Sequence, residues 1–317
     1  MNKNQRPTTI VSCLLLLSFL LSGCGSQAPA GSTVTISGAF ALYPMVVRWG
    51  EEFKKVHPNV EFDISAGGAG KGMSDALGGA VDIGMVSRAI NPEEEAKGAF
   101  WVPVTKDAVF VVVNNKNPVY EDIRTKGVTK ETLIGIYITG AITTWGQVVG
   151  KPEVTDPIHI FTRSDACGAA DALAKYLGNK KQEDLKGVGV FGDPGVLDAV
   201  VKDPLGIGYN NLNYAYDPAS GLPAENAAIV SLDANGNGKA DPDEVYDTKK
   251  QAIDAILTGK YPSPPARDLN LVTKGKPAGV TLAFIQWILA DGQKFVNEVG
   301  YIPLTDAQLQ SALQKLK

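Results

Sequence analysis

Apolar positions fall into two rhythms along this chain. Residues 44–56 carry apolar side chains at helical spacing, with Arg48, Glu51, Glu52, Lys54 and Lys55 on the other side, which predicts an amphipathic helix. Val34-Thr35-Ile36 before it and Val60-Glu61-Phe62-Asp63-Ile64 after it read as strands, the second by alternation. A glycine-rich turn at 66–72, a short helix at 73–78 and a strand at 81–85 continue the series. Strand, glycine turn and helix in succession argue for parallel βαβ units and an α/β fold. Ala108-Val109-Phe110-Val111-Val112-Val113 is nearly continuously apolar, as a strand covered on both faces requires.

Further helices are predicted at 130–137, 168–177, 249–257, 281–299 and 304–316, and strands at 158–161, 207–209 and 269–272. The polar, punctuated stretch 114–118 is a candidate crossing between two lobes, and 269–272 would return the chain to the first. These elements divide the chain into lobe I at 33–113, lobe II at 114–267 and a return to lobe I at 268–317. Ahead of them, Lys3 and Arg6 precede an apolar run at 10–21 that ends in Leu21-Ser22-Gly23-Cys24. This is the pattern of an export signal at 1–23. The stretch 24–32 lacks apolar patterning and reads as a flexible tether.

Composition narrows the picture. Without Lys3 and Arg6 the 30 basic residues fall to 28 against 34 acidic ones, a formal charge of −6, which disfavours nucleic acid as a partner. An anionic ligand would therefore need a local site that overcomes the overall field. Of three cysteines, Cys13 lies in the signal and Cys24 at its end, so Cys167 stands alone and no disulfide framework is expected.

The stretch 233–244 matches the side-chain pattern of a twelve-residue calcium loop. Asp233, Asn235, Asn237, Asp241 and Glu244 occupy positions 1, 3, 5, 9 and 12, Gly238 supplies the turn at position 6, and Lys239 would lend its carbonyl at position 7. A structural Ca2+ is the expectation, with a solvated Asp/Asn/Gly turn as the plain alternative. Ala240 stands where such loops usually carry a larger apolar residue, and no clear helix precedes Asp233. An isolated loop of this kind suits stabilisation better than sensing.

Three turns directly precede predicted helices, at 37–43, 67–71 and 164–169. Helix starts carry unsatisfied N–H groups and the positive end of the dipole, so several in one crevice bind an anion without a metal. Lys71, Arg88 and Arg163 lie in or near these stretches, and arginine's planar fork suits an oxyanion. A helix start next to Arg163 would also lower the pKa of Cys167, although a small residue lining the cleft is the simpler role.

The motifs Ser37-Gly38-Ala39-Phe40-Ala41-Leu42-Tyr43-Pro44, Gly67-Gly68-Ala69-Gly70-Lys71-Gly72, Asp82-Ile83-Gly84-Met85-Val86-Ser87-Arg88 and Arg163-Ser164-Asp165-Ala166-Cys167-Gly168-Ala169 occur in a telling order. They resemble the four ligand-clasping segments of the phosphate-binding proteins that serve ABC importers. Trp287, Phe295 and Gly300-Tyr301-Ile302-Pro303-Leu304 are similar to that family's closing region, so the likeness runs over 33–304. Leu21-Ser22-Gly23-Cys24 resembles a bacterial lipobox, which implies a lipid on Cys24. The resemblance implies a two-lobed type II periplasmic-binding-protein fold with the ligand in a cleft between lobes. It implies ligand contacts from Ala39, Phe40, Ala41, Ala69, Gly70, Ser87, Arg163, Cys167, Gly168 and Ala169, to which the cations Lys71, where the family often has a small polar residue, and Arg88 are added. Where the family carries hydroxyls, this chain has Ala39, Phe40, Ala69, Cys167 and Ala169, and Ser87 stands in place of an aspartate. Each lost hydroxyl removes a hydrogen bond to charge worth about 1.5–3 kcal/mol, leaving the main-chain donors and the cations.

The leading expectation is a monomeric, lipid-anchored, extracytoplasmic solute-binding protein, not an enzyme, that hands phosphate or a related oxyanion to an ABC permease. A calcium-stabilised surface sensor on the same fold, binding a larger and partly apolar anion, is the alternative. A phosphatase is the weakest reading, because no His/Cys/carboxylate cluster stands outside the calcium loop.

Overall fold

A computed structural model describes residues 31–317. The export signal, Cys13, Cys24 and most of the tether lie outside the described residues. In chain order the first lobe opens with β1 (Ser32–Gly38), α1 (Tyr43–Val56), β2 (Val60–Ala66), α2 (Ala69–Gly78), β3 (Ile83–Val86) and α3 (Pro92–Ala96). β1 pairs in parallel with both β2 and β3, the arrangement that the strand–turn–helix rhythm predicts. Then follow β4 (Ala99–Asn114), β5 (His159–Arg163), β6 (Val188–Val190), β7 (Gly206–Asn211), β8 (Ala227–Ile229) and β9 (Ala266–Lys274). The strand order is β2-β1-β3-β9-β4-β7-β5-β6, with β8 beside β4.

Two hydrophobic cores hang on this sheet. One gathers Val34, Trp49, Phe53, Ile83, Leu271, Phe284 and Ile288; the other gathers Phe110, Val112, Tyr137, Trp145, Leu173, Tyr209 and Tyr261. α1 enters the first through Met45, Val46, Trp49 and Phe53, and Trp49 Nε1 donates to the Gly292 carbonyl at 2.8 Å. In the second, Phe110, Tyr216, Tyr246 and Tyr261 pack mostly edge to face.

The boundary between cores is not at 114–118, the crossing expected from punctuation. β4 is a 16-residue strand that runs through both cores, and the change falls between Val104 and Ala108. β9 makes the return crossing between Ala266 and Leu269. Asn114 and Asn117 belong wholly to the second lobe, where their amides donate to the carbonyls of Val200, Val201 and Pro204. Polar punctuation there marks a strand end. The single helix predicted at 281–299 is likewise broken into Gly279–Leu289 and Lys294–Val299, because Gln293 Nε2 takes the carbonyls of Val104 and Ile288.

The crossing holds a buried carboxylate. Asp107 Oδ1 accepts from the Leu212 N–H at 3.2 Å, while Oδ2 has no hydrogen-bond partner and lies 3.8 Å from Arg267. Burial pushes the Asp107 carboxyl up to about 6; Arg267 pulls it back and Asp193 adds to the rise. A raised folded-state pKa means that the native state holds this proton more tightly than the unfolded chain. Stability from this group is thus present at low pH and lost as pH climbs from the ordinary carboxyl range through about 6. The difference corresponds to about 3 kcal/mol once ionised. Asp107→Asn, which keeps an acceptor and removes the charge, should raise the urea midpoint at neutral pH. The gain should fade toward about pH 4, and a pH-independent gain would remove Asp107 as its source.

Candidate functional site

The four segments meet where the two lobes face each other, and glycine makes the approach possible. The N–H groups of Gly67 and Gly68 donate to the Gly38 carbonyl at 2.8 and 3.0 Å, and Ala39 N–H donates to Met85 at 2.9 Å. A Cβ on Gly38 would lie 2.8 Å from the Gly72 Cα, so the first turn and α2 touch main chain to main chain. Between lobes, Gly70 N–H donates to the Ala166 carbonyl at 2.9 Å. A Cβ on Gly168 would lie 2.2 Å from the Ser87 carbonyl oxygen and 2.4 Å from its hydroxyl.

This packing gathers the starts of α1, α2 and the helix Gly168–Tyr176. The N–H groups of Phe40, Ala41, Ala69, Gly168 and Ala169 have no acceptor among the described residues, and neither does the Ser87 hydroxyl. Cys167 Sγ accepts from the Ala170 N–H at 3.3 Å and so caps its helix. Neutral side chains thus frame a set of fixed N–H dipoles.

The cations are arranged differently from the expectation. Arg163 is buried at the end of β5, and two carboxylates take three of its five side-chain N–H groups. Nε and Nη2 donate to Asp165 at 2.7 and 2.5 Å, and Nη1 donates to Asp193 at 2.5 Å. Burial opposes its charge, but Asp193 and Asp165 outweigh this and hold it protonated above arginine's ordinary range. The Phe40 ring lies over the guanidinium, 5.2 Å from centroid to Cζ, with Phe191 and Tyr214 edge-on to Phe40. Arg88 is instead forked onto Glu94 of α3, and Lys71 is bound to Asp75 within α2. Both pairs use up the charge that sequence reading assigned to a ligand.

Asp165 and Asp193 are site residues that the sequence reading missed. Asp193 sits in the first turn of the helix Gly192–Lys202, where it accepts from the Asn211 N–H and side-chain amide at 2.9 and 2.8 Å. Gly192-Asp193-Pro194-Gly195 looks like a loop, although proline early in a helix is a start signal. The spacing of Arg163 and Asp165 was a visible hint. Gly192 must be glycine, since its φ is +75° and a Cβ would meet Phe40 at 2.8 Å.

The proposed activation of Cys167 is reversed. Burial pushes its thiol up to about 12, against the pull of Arg163. Neither histidine serves it, since His57 stacks on Phe53 and His159 pairs with Asp203.

A family model described as the PBP superfamily domain matches residues 25–292. The chain belongs to the PBP superfamily. Among its relatives, the phosphate-binding protein PstS of Bacillus subtilis is 26% identical over 98% of this chain and 97% of its own length. Protein SphX of Synechococcus elongatus is 29% identical over 90% and 81%. A Clostridium perfringens protein assigned as a phosphate ABC transporter substrate-binding protein was solved with bound phosphate. It superposes with a TM-score of 0.70 at 25% identity, covering 86% of this chain and all of that one. This superfamily member thus shares its fold with phosphate-binding proteins over nearly its whole described length. PstS and the Clostridium protein are named for phosphate binding and transport, not for catalysis. No helix among the described residues is long and apolar enough to cross a membrane.

A buried thiol titrating near 12 should resist alkylation. Cys167 should react with iodoacetamide at about pH 8 at least a hundredfold more slowly in the native protein than in urea. Comparable rates, read by mass spectrometry, would place it at the surface.

Proposed function

We propose that this chain captures phosphate between its lobes and delivers it to an ABC importer from the outer side of a membrane, with lipid on Cys24 as its anchor. The observation that carries the reading is the set of N–H groups of Phe40, Ala41, Ala69, Gly168 and Ala169, without an acceptor among the described residues, together with the Ser87 hydroxyl. Fixed dipoles of this kind hold an oxyanion without a free cation, because their positive ends are already aimed and cost no reorganisation. Names of relatives and the phosphate-bound Clostridium structure support phosphate as the anion. The lipobox-like Leu21-Ser22-Gly23-Cys24 supports the anchor.

Arg163 acts here as a support. With Asp165 and Asp193 on it the cluster carries one net negative charge, so the guanidinium is not a free anion receptor. Removing it would strand two buried carboxylates and damage the fold, at about 3–5 kcal/mol, which makes it a poor test of binding. Ser87→Ala is cleaner. Loss of one hydrogen bond to a charged ligand, at least about 1.5 kcal/mol, should raise the phosphate Kd about tenfold in calorimetry with the melting temperature unchanged. An unchanged Kd would take Ser87 out of the site.

Phe40 favours a second reading. Its ring over Arg163, with Phe191 and Tyr214 around it, would suit a partly apolar oxyanion in a surface sensor. Titration with methylphosphonate alongside phosphate separates the two.

We also propose that 233–244 binds calcium. The donor set is hard and oxygen-rich, and the turn is built with φ of +72° at Gly236 and +85° at Gly238. Asp233 and Glu244 are buried. Their carboxylates accept from the N–H groups of Asn237, Gly238, Ala234 and Asp241. Among the described residues no three acids are drawn together as a metal cluster. Asp241 is turned toward Lys239 and the amides of Asn235 and Asn237, and would have to leave Lys239 to reach the ion. Calcium should raise the melting temperature by several degrees, an effect absent in Glu244→Gln, while the phosphate Kd changes less than about twofold. Loss of phosphate binding in chelator would tie the loop to the cleft instead.

A further inference from the structure

Beside the amide-lined crevice lies a separate inter-lobe cavity of about 490 Å3. Gly70, Ala166 and Cys167 form one part of its wall, and Arg88, Lys175, Lys180 and Lys181 lie around it. Two of these cations are neutralised, Arg88 by Glu94 and Lys175 by Asp171 at 3.0 Å. Lys180 and Lys181 are exposed and form no ion pair among the described residues. Asp171 is paired with Lys175, and Glu183 offsets one of the two free ammonium groups, so the lining keeps one positive charge in a chain whose net charge is negative.

Their position is fixed by the neighbouring glutamine. Gln182 Oε1 accepts from the Cys167 N–H at 3.0 Å, and its Nε2 donates to the carbonyls of Asp165 and Arg163 at 2.7 and 3.4 Å. The Lys180 N–H is tied back to Ala174 at 3.0 Å after a left-handed turn at Asn179. The lysine pair is therefore clamped to the segment that supplies the Gly168 and Ala169 N–H groups. The Gly70–Ala166 hydrogen bond is part of the cavity wall and also joins the lobes, so parting that bond would open the cavity toward those amides.

We propose that this cavity is the entry port at which the anion is first drawn in, and that Lys180 and Lys181 set its association rate. The inference rests on the phosphate reading above and adds the route. Fixed charges lining a cleft raise on-rates by about 10- to 1,000-fold, and salt screens them over about 8 Å at physiological strength. Steering of this kind acts on encounter and leaves the closed complex alone.

Stopped-flow mixing of inorganic phosphate with the full mature protein tests this. Lys180→Glu combined with Lys181→Glu should lower the association rate at least about tenfold at low salt, with the dissociation rate within about twofold and the deficit shrinking at high salt. Lys180→Gln with Lys181→Gln should fall between, and covers the case in which the reversal disturbs folding. Lys202→Glu with Lys250→Glu, which line none of this cavity, should leave the rate nearly unchanged. An unaltered association rate in the Lys180/Lys181 variants with binding intact, or an equal loss in the Lys202/Lys250 control, overturns the port and leaves the phosphate reading standing. Failure of the unaltered protein to bind phosphate overturns that reading, and the port with it.

Discussion

Arg163 between Asp165 and Asp193 is the interaction on which the cleft depends. A guanidinium this deeply buried persists only with its charge compensated, and both carboxylates need it in turn. The pairing reaches outward through named contacts. Asp193 holds Asn211, Asn211 Oδ1 accepts from Arg267, and Arg267 Nε donates to the Ser87 carbonyl at 2.7 Å. A chain of hydrogen bonds therefore runs from β5 in the second lobe to the end of β3 in the first. It crosses at β9, where the sheet passes from one core to the other.

With the arginine's charge outweighed by two carboxylates, main-chain dipoles become the chief source of affinity for an anion. This resolves the tension in the sequence between lost hydroxyls and an acidic chain. Alanine, glycine and cysteine at these positions still present their N–H groups, because a helix start needs no particular side chain to expose them. Net charge acts at long range and is screened within about a Debye length, whereas an amide at hydrogen-bond distance acts within the crevice. An overall charge of −4 therefore does not forbid anion capture.

Local periodicity made much of the fold legible. β1, α1, β2 and the apolar half of β4 follow from alternation and helical spacing, and three of the four segments were visible as turns before helices, while 82–88 was picked out by resemblance alone. What stayed hidden depends on distance along the chain. Lys71 and Asp75 stand one helical turn apart, a pairing that the spacing allowed, whereas Arg88 looks like a free cation until Glu94 of α3 is placed beside it. Asp193 was hidden because Gly192-Asp193-Pro194-Gly195 has turn chemistry, while its role is set by Arg163, thirty residues away. The lobe boundary was misplaced for a similar reason: an uninterrupted strand can serve two cores, and no local residue pattern marks the change.

How the lobes meet bears on how such a cleft could work. Gly68 and Gly70 lie against Asp165 and Ala166, and Gly168 lies against Ser87, so main chain touches main chain. The inter-lobe contact at this rim includes one backbone hydrogen bond, between Gly70 and Ala166. That bond, worth about 1 kcal/mol net, acts with the packing of Phe40 on Arg163, Phe191 and Tyr214 and with the Tyr214 hydroxyl that donates to the Phe40 carbonyl at 3.3 Å. An anion bridging Ala69 on one lobe and Ala169 on the other would add several charge-assisted bonds made only when the lobes are together. Differential binding of that size is what a ligand needs to shift an open–closed equilibrium. Larger side chains at Gly70 or Gly168 would hold the lobes apart, and the amides would then lie too far from one another to share one ion.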